Sequence, residues 1–174
     1  NIEAAHAEVY SCSKNNWSNT LNLIIKKKKI KKMIYGKKTD LGQKIYSAFK
    51  NKSIFLPELF DYNKPVEEIK DILFGVDSSI TNAKGGIAET GTIIIWPSPE
   101  EPRLMSLIPP IHIVLLNENK IFNNFLEAMN KEKWNTKMPT NLLLISGPSK
   151  TADIEQTIVY GVHGCKELIV LLIK

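Results

Sequence analysis

Two stretches of this 174-residue chain bring glycines, hydroxyls and charged groups close enough together to bind or transform a small molecule. The first is GGIAETGT, Gly85 to Thr92, which runs into the apolar segment Ile93 to Trp96. Glycine lets a backbone approach a ligand closely. The hydroxyls of Thr90 and Thr92, with backbone N–H groups around Gly91, can hold an anion or a carbonyl oxygen. Two readings are open for Glu89: a nucleophile or general base, if its surroundings raise its pKa, or a solvent-facing glutamate on a tight turn. The glycine spacing matches neither a Walker loop nor a dinucleotide fingerprint.

The second stretch is ISGPSKTADIE, Ile145 to Glu155. It follows the apolar run Leu142 to Ile145, which suits a central parallel strand covered on both faces. It precedes Ile154 and Ile158, whose spacing of four predicts a helix. Ser146, Gly147, Ser149, Lys150 and Thr151 would then stand at the carboxyl end of a strand, where α/β sheets place their ligands. A helix N-terminus attracts an anion, yet Asp153 and Glu155 occupy its opening turns. Either the hydroxyls bind a ligand whose charge is met elsewhere, or the acids complement the helix dipole.

Three further residues stand out. Arg103 is the single arginine among 23 basic residues, and its planar guanidinium can grip a carboxylate or phosphate through two bonds. The alternative is a surface residue in a proline-rich loop. His163 lies between glycines in GVHG and can act as acid, base or donor, whereas His112 in IHIVLL reads as a core histidine. No metal site is expected, because separated histidines lack a third ligand at known spacing.

These residues need a scaffold, and the pattern supplies one. Strands are predicted at Glu8–Cys12, Lys32–Tyr35, Ser53–Leu56, Ser78–Asn82, Thr92–Trp96, Ile111–Leu116 and Leu168–Ile173. Helices with one apolar face are predicted at Trp17–Ile25, from Asp40, from Pro65 to Gly75, and around Ile121–Met129. Such alternation predicts an α/β fold, a predominantly parallel sheet flanked by helices, in one domain over 1–174 whose N-terminus is expected to be truncated. AKGGIAETG is too short for a crossover helix, so its flanking strands are expected to form a hairpin or a bent pair.

Composition narrows the function. The net charge of +5 is concentrated in KKKKIKK, Lys26 to Lys32, which reads as the solvated end of a helix. Without interleaved aromatics the run lacks the platform of a single-strand binder, and no nucleic-acid partner is expected. No apolar run is long enough for a membrane span. Two cysteines, Cys12 and Cys165, form no disulfide framework, so a reducing, cytoplasmic setting is expected. Two thiols are also too few for an iron–sulfur cluster.

Three strings at this spacing, GIAETGTIIIWPSPEEPRLMSLIPPIHIVLL, LISGPSKTADIEQTIVYGVHG and the closing strand, resemble the lactate utilisation domain family and, within it, the lactate utilisation protein C group. Cys165 stands where that group usually has proline after GVHG. The resemblance implies a fold similar to the sugar-isomerase and coenzyme A transferase-like group, and a role in oxidising L-lactate to pyruvate. It implies two partner proteins, at least one carrying iron–sulfur clusters, with no cofactor bound by this chain itself. From the residues themselves, Glu89 and His163 are the catalytic candidates. Thr90, Gly91, Thr92, Arg103, Ser146, Gly147, Ser149, Lys150, Thr151 and Asp153 are the expected holders of a small anionic ligand. The alternative is a stand-alone enzyme acting on a thioester or phosphorylated acid through Glu89.

Overall fold

The computed structural model describes the chain apart from residues 51–56, 137, 153–157 and 161–163, and gives the backbone alone at 151–152 and 158–160. The chain starts β1 (Glu8–Cys12), α1 (Trp17–Lys27), β2 (Lys32–Tyr35), α2 (Asp40–Lys50), β3 (Glu58–Asp61), α3 (Val66–Gly75) and β4 (Ser78–Asn82). It continues β5 (Gly85–Ile87), β6 (Thr92–Ile95), α4 (Leu104–Leu107), β7 (Ile111–Asn117), β8 (Ile121–Phe122) and α5 (Phe125–Lys131). The remainder is β9 (Leu143–Ile145), β10 (Lys150–Ala152), β11 (Ile158–Tyr160) and β12 (Glu167–Ile173).

Six strands form one sheet in the order β1-β12-β7-β4-β2-β3, and every neighbouring pair is parallel. The α/β architecture expected from the alternating pattern is therefore present. Its central strands β12 and β7 are the most continuously apolar segments of the chain, as a strand covered on both faces requires.

Handedness sorts the connections. A right-handed crossover puts its helix on one face when the chain steps one way along the sheet and on the other face when it steps back. The steps β1 to β2 and β2 to β3 go one way, and α1 and α2 pack together on Met33, Ile80, Ile113 and Ile169. The steps β3 to β4 and β4 to β7 reverse, and α3 and α4 pack on the opposite face through Ile34, Leu73 and Met105.

That second face also carries a smaller sheet, β8-β5-β6-β9, whose Ile93 and Ile95 pack against Val114, Leu168 and Val170. Its far side is closed by α5 and Trp134, which is 1% exposed and meets Trp96 and Phe125 edge-on.

Several expectations are corrected. Leu142–Ile145 is no central parallel strand: β9 is an edge, antiparallel to β6, with Leu144 half exposed. Lys150–Ala152 and Ile158–Tyr160 pair as an antiparallel ribbon, so Ile158 is in a strand where a helix was expected. Ile158, Val159 and Tyr160 are residues that favour a pleated surface, and that preference outweighs the four-residue spacing. The strand expected at Ser53–Leu56 lies outside the described residues, and the sheet takes up Glu58–Asp61 beyond Pro57. Ile121 belongs to β8, and α5 starts only at Phe125. The flanking strands Ser78–Asn82 and Thr92–Ile95, expected to pair as a hairpin, lie in different sheets: β4 is in the large one, and β6 forms a hairpin with β5, a strand inside the glycine-bearing stretch itself.

Candidate functional site

Strands β5 and β6 are joined by the turn Ala88–Gly91. Gly91 takes φ +62°, a left-handed conformation that glycine adopts without steric cost, and a Cβ there would stand 2.5 Å from the Ile2 nitrogen. The side-chain amide of Asn1 donates to the carbonyls of Ala88 and Glu89, at 2.8 and 2.9 Å, and holds the turn against the segment that precedes β1. Glu89 itself is exposed at the tip, as the tight-turn reading requires.

The strand pairing β6 to β9 then does the joining. Ile93 lies opposite Ile145, so the residues just outside this pair, Thr92 and Ser146, face one another. Their hydroxyls are 2.9 Å apart, and Thr92 is also 2.7 Å from the Thr90 hydroxyl. Thr92 is 5% exposed, whereas Thr90 and Ser146 reach solvent. The result is a relay of three hydroxyls from a buried residue to the surface, linking the GGIAETGT and SGPSK stretches.

Beyond Ser146, Gly147 has φ +157°, and a Cβ there would meet the Ala5 carbonyl oxygen at 2.4 Å. Ser149 donates its backbone N–H to the Cys165 carbonyl at 2.9 Å. A Cβ on Gly164 would lie 2.9 Å from the Ser149 Cβ, so the last residue of GVHG is packed on SGPS. Three of the motif stretches thus meet. Beside them, Gly86, Gly91, Thr92, Ile93 and Ile2 line a cavity of about 240 Å³.

The meeting point differs from expectation in where it sits. Cys165 lies two residues before β12, and Asn1 to Ala5 precede β1, so the Gly147–Ser149 side of this cluster borders the amino rim of the parallel sheet, whereas the backbone N–H groups of Ala88 and Glu89 donate to the carbonyls of Phe122 and Asn123, beyond the carboxyl end of β7. The cluster stands at the carboxyl end of β9, which belongs to the other sheet.

Arg103 is not part of it. It lines a separate cavity of about 430 Å³ with Pro97, Ser98, Thr140 and Asn141, past the far end of β6. Lys150 is exposed in β10. The side chain of Thr151, and His163 and Asp153 entirely, lie outside the described residues. His112 is fully buried, as its apolar context implied: Nε2 is 2.9 Å from the Thr81 hydroxyl, Nδ1 has no partner among the described residues, and burial holds its pKa down at about 3.

The carboxyl rim carries a polar constellation that sequence reasoning missed. Glu101 accepts hydrogen bonds from the Asn82 backbone N–H (3.0 Å) and side-chain amide (3.1 Å), and from the Thr39 hydroxyl (3.3 Å). Its carboxylate spans the gap between the carboxyl ends of β2 and β4, and desolvation by burial raises its pKa despite those donors. The signal was an acid pair, Glu100 and Glu101, inside a proline-stiffened loop. Nothing in the local sequence says that the loop folds back over β4.

Among the described residues, no group of three histidines, cysteines or acids is arranged to hold a metal, and no helix is long and apolar enough to cross a membrane. Cys12 and Cys165 are both buried, in cores on opposite faces of the large sheet.

The fold and the three converging glycine-bearing motifs define a class: residues 1–173 match the LUD domain, and the chain belongs to the LUD domain family. Among its relatives, an uncharacterized protein of Neisseria meningitidis is 37% identical, over 99% of this chain and 73% of its own length. Lactate utilization protein C 1 of Bacillus mycoides is 29% identical, over 93% of this chain and 71% of its own. The uncharacterized YkgG of Escherichia coli is 31% identical over 55% of this chain and 43% of its own. The crystal structure of a DUF162 family protein from Deinococcus radiodurans superposes with a TM-score of 0.67 at 19% identity, covering 99% of this chain and 92% of that one, which shows the shared fold.

Proposed function

We propose that this protein is a non-redox component of an L-lactate utilisation system, working with iron–sulfur partner proteins in the oxidation of lactate to pyruvate. On this reading it binds a small anionic ligand at the hydroxyl cluster of Thr90, Thr92 and Ser146, in the cytoplasm. Family membership and relatives named lactate utilization protein C support the process. The observation that carries the site is the Thr90–Thr92–Ser146 relay with Gly164 packed on Ser149 beside it. Hydroxyls and glycine backbone are neutral donors, suited to a carboxylate whose charge is shared with a nearby cation such as Lys150. Two thiols on opposite sheet faces favour partners as the holders of the clusters.

Replacing Thr92 by Val and Ser146 by Ala together, in a strain whose growth on L-lactate depends on this protein, tests the proposal. Loss of growth on lactate, with the variant present at wild-type level and growth on glucose intact, is expected. Wild-type growth on lactate would remove the relay from the function.

A further inference from the structure

We infer that the carboxyl rim of the parallel sheet carries a second ligand site, for a nucleoside monophosphate, independent of the hydroxyl cluster. The topology opens the site. The chain leaves β1 and β2 toward the face covered by α1 and α2, whereas it leaves β4 and β7 toward the opposite face. On the first face, then, nothing continues from the carboxyl ends of β4 and β7, and a crevice is left between the start of α1 and the start of α2. Ligands in open α/β sheets bind in crevices of this origin. Here it measures about 310 Å³ and is floored by Asn82, Leu115 and Ile173, toward the ends of β4, β7 and β12. A shallower hollow of about 430 Å³ continues it along α2, and the two share Lys14, Trp17 and Lys44.

The lining fits one kind of ligand. Trp17 and the apolar strand ends offer a face for a flat ring. Lys14 and Lys44 line it from two different segments, one ahead of α1 and one on α2, and neither is ion-paired among the described residues. Two lysines without ion-pair partners among the described residues, lining one crevice, suit a phosphate. Asp40 also lines it, and a lone carboxylate there would repel a bare anion but accepts hydrogen bonds from hydroxyls. Asn82 has its amide nitrogen fixed on Glu101, which leaves its side-chain oxygen as an acceptor at the same place. Ring, hydroxyls and one phosphate, in that combination, are the parts of a nucleotide.

The probe is AMP, with adenosine as its phosphate-free control, followed by calorimetry and by tryptophan fluorescence. Trp96 and Trp134 belong to the core of the smaller sheet, so quenching that disappears in Trp17→Phe reports this crevice. AMP is expected to bind and adenosine to bind at least about tenfold more weakly, with Lys14→Met and Lys44→Met each weakening AMP by about tenfold. Both lysines are exposed, so these variants keep the fold. Ser146→Ala is expected to leave AMP binding unchanged, which separates this site from the hydroxyl cluster. No AMP binding at millimolar concentration, equal binding of adenosine, or indifference to both lysine substitutions would overturn the inference.

Discussion

Thr92 is buried, yet its hydroxyl has partners on both sides, and both of those partners also reach water. Replacing it by Val keeps the shape, and Thr90 and Ser146 can turn to solvent. The cost in stability is therefore expected to stay at or below about 1 kcal/mol in urea denaturation. Gly91 is different. A side chain there pays about 1–2 kcal/mol for the left-handed backbone and must also displace the Ile2 nitrogen, which would lie 2.5 Å from the new Cβ. Gly91→Ala is expected to destabilise by more than about 2 kcal/mol, and an unchanged urea midpoint would show that the turn does not need glycine. Both residues were legible as candidates from the sequence, since hydroxyls and glycines in one short stretch imply a polar turn. That Thr92 would meet Ser146 was not legible, because it depends on β6 and β9 pairing antiparallel across a separation of over fifty residues.

At the scale of elements, the lysine run shows how much a local pattern can say. It closes α1, as its charge suggested, but Lys27 and Lys28 do more than meet solvent. Lys28 bridges Glu8 and Glu167, tying the end of α1 to the starts of the neighbouring strands β1 and β12. The Lys28 ammonium, helped by the Tyr10 hydroxyl and Lys27, lowers the Glu8 carboxyl to a pKa of about 2 from an ordinary 4.5. A carboxyl with a depressed folded pKa stabilises the fold above its unfolded value and loses that contribution as pH falls toward the folded one. The stability advantage of the native protein over Glu8→Gln is thus expected to shrink between pH 4.5 and about 2 and to be flat above that window. A constant difference across the window would contradict the pairing.

The helices α1, α2 and α3 were readable because each buries a face of regular period, and the strands β1, β2, β4, β7 and β12 because they are short β-favouring runs set between those helices and their turns. The ribbon β10–β11, a two-stranded sheet of its own, was not. Leu142–Ile145 was legible as a strand, but β9 lies at the edge of the small four-stranded sheet, whose existence no local period announces. That sheet is held to its far cover largely by Trp134. Trp134→Ala is expected to cost about 3–5 kcal/mol in urea denaturation, and a loss under 1 kcal/mol would show that α5 packs independently of it.

For the molecule as a whole, the parallel sheet has two rims with different chemistry. The amino rim borders the Gly147–Ser149 end of the hydroxyl relay, and the carboxyl rim holds Glu101, Asn82 and the crevice beside them. Arg103 lies apart from the relay, so an anionic ligand bound at the relay would have to meet its charge on other groups. The central claim is that the turn Ala88–Gly91 and the stretch Ser146–Lys150 form one binding site for a small carboxylate. Titrating the ¹⁵N-labelled protein with L-lactate and with pyruvate, while following the backbone amides, tests it most directly. The account predicts shifts concentrated at Thr90, Gly91, Thr92, Ser146, Gly147 and Ser149, and abolished by Thr92→Val with Ser146→Ala. Saturating additions of either acid that leave those amides unmoved, or that move only residues elsewhere, would contradict it.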